Sequence, residues 1–117
     1  MNNSFSEFVN EDDEQGMLFE MANLIPSETG LDYIVWVSVR SNREKHGPRV
    51  KVKVNNVWLP VTVNDDPRVA INTNLRIPEF KKLQDWIVIN KQVLLDYWNS
   101  EGNMGIKELS NRIIMVE

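Results

Sequence analysis

The chain has 117 residues, no cysteine and a net charge of −4, with 42% apolar and 26% charged residues. That is the length of one domain with its own core, and it excludes disulfide staples and thiolate metal sites. The longest apolar runs fall far short of a bilayer span, and Met1–Glu7 lacks the basic and apolar regions of a secretory leader; together these features predict a cytoplasmic protein.

The charge is segregated. Residues 1–39 carry Glu7, Glu11, Asp12, Asp13, Glu14, Glu20, Glu28 and Asp32 and no lysine or arginine, a balance of −8. Residues 40–64 carry Arg40, Arg43, Lys45, Arg49, Lys51 and Lys53 against Glu44, a balance of +5; the remainder sums to −1. An acidic arm therefore precedes a basic centre. Beyond Met1, residues 1–16 contain only Phe5, Phe8 and Val9 as large apolar groups. Such a segment buries too little surface to offset its ordering entropy, so the expected organisation is a flexible acidic arm over 1–16 and one domain over 17–117.

Met17 to Ile25 turns apolar and reads as a short docking helix or an extended segment, with Pro26 biasing Ile25 away from helix. Pro26-Ser27-Glu28-Thr29-Gly30 reads as a turn or loop. Tyr33 to Val39 is β-branched and aromatic, with apolar residues on both faces, as in a strand covered on both sides. After a polar loop over 41–48, Arg49 to Val54 alternates base and valine, which predicts a strand with one core face and one basic face. Asn55-Asn56 suits a two-residue hairpin turn because asparagine tolerates positive φ. Val57 to Val63 follows as a third strand, edged by Pro60. Asn64 to Pro67 is turn chemistry, and Val69-Ala70-Ile71 is a candidate short fourth strand.

The pattern then changes period. Phe80, Leu83, Trp86, Ile87, Val93, Leu94, Tyr97 and Trp98 cover one face at 100° per residue, which predicts a single long helix over 79–99 with Pro78 in its first turn and Glu79 at the positive end of its dipole. Asn90 falls in the middle of that apolar face. Two readings suit it: a hydrogen bond to backbone of the 43–48 loop, or a position lining a small pocket. Val88, Ile89 and Leu95 project from the polar side. They are candidates for a homodimer or partner contact, or for covering a layer built from Met17–Ile25. Ile106, Leu109 and Ile113 then predict a short C-terminal helix. The expected fold is α+β: a small, mostly antiparallel sheet of three or four strands, packed by one long helix plus the short one.

No set of residues meets the requirements of a catalytic or metal site. His46 is the only histidine, and acid–base or metal chemistry needs converging partners. Asp65, Asp66 and Asp85 belong to no partner motif, and two-carboxylate chemistry needs a shared cleft. The candidate binding residues are Arg40, Arg43, Lys45, His46, Arg49, Lys51 and Lys53 around the basic strand, with Trp36 or Trp58 as an adjoining aromatic platform. Glu11, Asp12, Asp13 and Glu14 of the arm are candidates on the acidic side. The arm has three readings: a solubilising tail, a shield over the basic hairpin, or an acidic probe for a basic groove on another protein.

The run His46-Gly47-Pro48-Arg49-Val50-Lys51-Val52, with Trp86-Ile87-Val88-Ile89-Asn90-Lys91-Gln92-Val93-Leu94-Leu95-Asp96-Tyr97-Trp98, resembles a pattern in small uncharacterised bacterial proteins. Those proteins pair an H-x-x-R-[IV]-K-V strand with a W-I-x-[LI]-N-x-x-[VL]-[LI]-x-x-Y-W helix, and the likeness spans roughly residues 20–113. More distantly, the chain is similar to a domain-of-unknown-function family with an H-x-P-P-H-x-H-V strand, whose members are suspected partners in toxin–antitoxin-like operons. Arg49 and Lys51 stand here where that family carries histidines, so a histidine cluster does not carry over. Small size, the missing catalytic constellation, the segregated charge and this likeness together point to a non-enzymatic interaction module of the antitoxin, immunity or inhibitor kind, without a cofactor, acting through the arm, the sheet face or both. The alternatives are a nucleic-acid-binding module using the hairpin over 40–54, and a small hydrolase or nuclease.

Overall fold

We describe the protein from a computed structural model, which defines residues 21–40 and 46–117. It is an α+β fold in which four strands form an antiparallel meander in the order β1 (Met21–Leu24), β2 (Val35–Ser38), β3 (Arg49–Val54) and β4 (Val57–Thr62). The register sets Asn23 beside Trp36, Trp36 beside Lys51 and Lys51 beside Pro60. Because side chains alternate along a strand, this register sends Ala22, Leu24, Val35, Val37, Val50, Val52, Leu59 and Val61 to one face, where all are buried. They share one core with Leu83, Trp86 and Ile87 of helix α2 (Phe80–Ile89), Val93, Leu94 and Tyr97 of α3 (Lys91–Trp98) and Leu109 of α4 (Ile106–Arg112).

β3 follows the valine–lysine alternation residue for residue, with Val50 and Val52 fully buried. Asn55 and Asn56 take φ of 51° and 64°, the two left-handed residues that a tight hairpin requires. Pro60 sits inside β4 without breaking it. The β4 residues of its parity bond outward: Thr62 N–H donates to Arg68 O and Pro60 O accepts from Ala70 N–H. The missing N–H of Pro60 thus falls on the side away from β3, as an edge strand allows. Residues 69–71 add only a single bridge, Val69 to Val61. The fourth strand is instead β1, the extended alternative for the Met17–Ile25 stretch, so Met21–Leu24 lies in the sheet and forms no second layer over Val88 and Ile89.

The single long helix expected over 79–99 is two helices meeting at Asn90, which has φ −100° and ψ 12°. The Asn90 side chain explains the break. Its Nδ2 donates to Trp86 O, the carbonyl that its own backbone N–H also uses, and such local competition bends helices. The partner of the amide is also not the 43–48 loop. Nδ2 donates to Ile114 O at 2.9 Å and Oδ1 accepts from Ile114 N–H at 2.7 Å, so the amide holds the C-terminal strap. The reorientation at Asn90 accounts for Leu95, expected on the polar side but half-buried against the core. Pro78 stands outside the helix, before an N-cap Glu79 in the left-handed region.

The Pro26–Gly30 turn is a one-turn helix, α1 (Pro26–Thr29), with proline at its start and Gly30 at φ 84° closing it. Glu28 ties it in two directions, accepting from Ile25 N–H at 2.9 Å and from the Ser110 hydroxyl of α4. Thr29 O accepts from Val116 N–H at 2.8 Å. The segment after α4 is therefore pinned at Asn90 and again at Thr29. No described helix is long and apolar enough to cross a membrane.

Candidate functional site

The second face of the sheet carries Asn23 from β1, Trp36 and Ser38 from β2, Arg49, Lys51 and Lys53 from β3, and Trp58, Pro60 and Thr62 from β4. The sequence grouping of Arg49, Lys51 and Lys53 on one face holds, at a pitch of about 7 Å between alternate residues. The register adds what spacing along one strand does not: Lys51 is the cross-strand neighbour of Trp36, and Lys53 of Trp58. The ammonium of Lys51 lies 4.9 Å from the Trp36 ring centre, and that of Lys53 lies 5.6 Å from the Trp58 ring centre. The two indoles meet diagonally across β3, 5.6 Å apart with a 36° tilt. Each cation–π contact contributes about 0.5–1 kcal/mol at an exposed site, and together they hold two long lysines upright in a ladder.

Burial across this face is uneven. Trp36 is 7% exposed, Pro60 is buried, Trp58 and Lys51 are half-buried, and Lys53 is exposed. The core that gathers the described helices draws on the opposite face. Positive charge is confined to β3, because the flanking positions Asn23, Ser38, Pro60 and Thr62 are neutral. Among the described residues no carboxylate pairs with Arg49, Lys51 or Lys53.

The remaining candidates do not join this face. His46 stacks 5.9 Å from Trp98 of α3, and its Nδ1 lies 2.7 Å from Gly47 O, which removes it from the lysine ladder. The Arg40 backbone N–H caps Trp98 O at 2.8 Å. Arg43, Lys45 and the arm residues Glu11, Asp12, Asp13 and Glu14 lie outside the described residues. Val88 and Ile89 are exposed, while Leu95 is drawn into the core layer. Asp65 pairs with Lys91 at 2.7 Å, Asp66 with Arg68 at 3.1 Å and Asp85 with Lys81 at 2.6 Å, each at its own place. Among the described residues no cluster of three or more histidines and carboxylates is arranged to hold a metal.

A second polar cluster carries no sequence signal. Tyr33 donates its hydroxyl to Pro78 O at 2.8 Å, and burial, reinforced by Glu79 and Asp32, pushes that hydroxyl up to about 12. Glu79 shares a hydrogen bond with Asp32, and that bond with the repulsion behind it raises the Glu79 carboxyl. These groups are 47 positions apart at most and meet only because the β2 entry and the α2 N-terminus adjoin, which no local pattern announces.

No protein-family model matches the chain, and no curated protein or solved structure matches it either.

Proposed function

We propose that the protein is a non-enzymatic interaction module, and that its working surface is the Trp36–Trp58–Lys51–Lys53 face, which receives an acidic segment of a partner protein. The observation that carries this reading is the ladder itself: ammonium groups held over indole rings at 4.9 and 5.6 Å on one sheet face. Such a surface offers charge to carboxylates and an aromatic floor to the apolar residues between them. Its footprint favours a short acidic peptide over an extended polyanion. The bases occupy one strand between neutral neighbours, and the whole chain is acidic, with a pI near 5.0. Long phosphate tracks need charge on several strands. An antitoxin, immunity or inhibitor role fits a small module of this kind.

The test is titration of the full chain with a synthetic peptide of alternating glutamate and phenylalanine, and separately with a twelve-residue thymidine oligonucleotide, read by tryptophan fluorescence and by anisotropy of the labelled probe. Peptide binding that weakens with salt and falls at least tenfold in Lys51→Glu and Lys53→Glu supports the reading. Oligonucleotide binding with the same residue dependence, and none to the peptide, replaces it with the nucleic-acid alternative.

A further inference from the structure

We propose that the chain carries its own occupant for this face: the acidic arm, residues 5–14, docks on the Trp36–Trp58–Lys51–Lys53 ladder and competes with the partner there. The inference rests on the reading of that face as a binding surface and adds its regulation. Two observations support it. The first is charge complementarity. Glu7, Glu11, Asp12, Asp13 and Glu14 lie in a stretch without a base, and the face presents Arg49, Lys51 and Lys53 without a described carboxylate partner. The arm also matches the second chemistry of the face, since Phe5, Phe8 and Val9 are the apolar residues that an indole floor accepts.

The second is reach. The described chain begins at Met21, the first residue of β1, in register with Ser38 of β2. Lys51 lies two strands away from β1, about 10 Å at sheet spacing. The six residues between Glu14 and Met21 span up to about 20 Å when extended. Glu14 therefore reaches the lysines without strain, and the stretch from Phe5 onward has length to cross the face.

A tethered segment acts at an effective concentration in the millimolar range, so an arm contact with a Kd of about 0.1 mM raises the partner concentration needed by about tenfold.

The chain has no cysteine, so Ser6→Cys gives a unique site for a nitroxide label on the full-length protein. Paramagnetic broadening of the four indole N–H signals then reports where the arm lies. Docking predicts broadening of Trp36 and Trp58 beyond that of Trp86 and Trp98, lost in Lys51→Glu/Lys53→Glu and restored when Glu11, Asp12, Asp13 and Glu14 are also changed to lysine. Equal broadening at all four indoles, or broadening indifferent to the charge changes, overturns the proposal. A second arm of the experiment neutralises the four acids in the full chain, as Glu11→Gln, Asp12→Asn, Asp13→Asn and Glu14→Gln. The glutamate–phenylalanine peptide should then bind about tenfold more tightly, and unchanged affinity counts against competition. If the labelled arm maps to Trp36 and Trp58 while no peptide binds even the neutralised chain, the docking stands and the partner reading fails. If the peptide binds with lysine dependence while the arm leaves no mark on the indoles, the partner reading stands and the docking fails.

Discussion

Asn90 and Ile114 pair like two residues of neighbouring strands: the side-chain amide of the first receives the backbone N–H of the second at 2.7 Å and donates to its carbonyl at 2.9 Å. The amide is 1% exposed and also donates to Trp86 O. One residue thus breaks the helical layer into α2 and α3 and anchors the strap that follows α4. Asn90→Ala removes all three bonds and leaves the Ile114 groups without their partner, so we expect a loss of about 2 kcal/mol. Denaturant unfolding measures it, and hydrogen exchange should show amides 114–116 losing protection ahead of the sheet. Asn90→Leu, which keeps the volume, should release the same amides. Continued protection of Ile114 in both variants would show that the strap is held by its apolar contacts alone.

Gly30 lies directly under the strap, next to its other anchor, Thr29. Its φ of 84° belongs to the left-handed region, and a Cβ there would stand 1.8 Å from Val116 O and 2.8 Å from Met115 Cγ. Gly30→Ala therefore meets two penalties, about 1 kcal/mol for the backbone conformation and a further one for displacing the strap. The two separate in a cycle. In a chain ending after Ile113, the Gly30→Ala penalty should shrink to the conformational part, and the coupling between the two changes should exceed about 0.5 kcal/mol. Strict additivity in the cycle would mean that the strap does not rest on Gly30.

These two anchors show where the sequence stops being legible. The alternation of Arg49 to Val54 is a period-two signal, and it fixed β3, its faces and the hairpin at Asn55-Asn56 in advance. The helical stripe from Phe80 to Trp98 placed the correct residues in the core. It could not show the break, because an asparagine in a helix is innocuous unless its amide has somewhere to go, and Ile114 is 24 positions downstream. The same limit applies to the site. Lys51 and Lys53 are seen on one strand, yet their seats over Trp36 and Trp58 depend on the register of three strands. Met17–Ile25 is ambiguous for a related reason: so short a stretch carries too little periodicity to separate a helix from an extended segment, and for Met21–Leu24 pairing with Val35–Ser38 decides it.

The α3–α4 contact should make part of the stability acid-labile. Hydrogen bonds from Arg112 and then from Gln92 hold the Asp96 carboxyl below the usual aspartate range, with the Arg112 contact at 2.7 Å. A lowered folded-state value means that the contribution is present above the unfolded value, near 4, and is lost as pH falls through the folded one. Both side chains are more than a third exposed, so solvent limits the contribution to below about 1 kcal/mol. Arg112→Gln should destabilise the protein at pH 7 and make no difference near pH 2, as read by denaturant midpoints at matched ionic strength. An undiminished difference at pH 2 would assign the effect of Arg112 to packing of its stem.

Glu79 should show the opposite sign. Its carboxyl is raised by the hydrogen bond and repulsion from Asp32, and its backbone sits at φ 52° and ψ 46°, a conformation that disfavours residues with a Cβ. For an acid whose folded value lies above the unfolded one, stability is fully present below the unfolded value and declines as pH rises through the folded one. The native pair therefore opposes folding at neutral pH. Glu79→Gln removes the charge and keeps the strained backbone, so its melting temperature should exceed that of the wild type at pH 7 and converge with it below about pH 4. Glu79→Gly removes the charge and the strain, because glycine enters the left-handed region freely. Its advantage at pH 7 should be larger and should persist in acid. The gap between the two variants then isolates the backbone strain, and the part of the Gln effect that disappears on acidification isolates the Asp32 repulsion. If Glu79→Gln lowers the melting temperature at pH 7, the carboxyl serves the α2 N-terminus more than it opposes Asp32, and the sign assigned here is wrong.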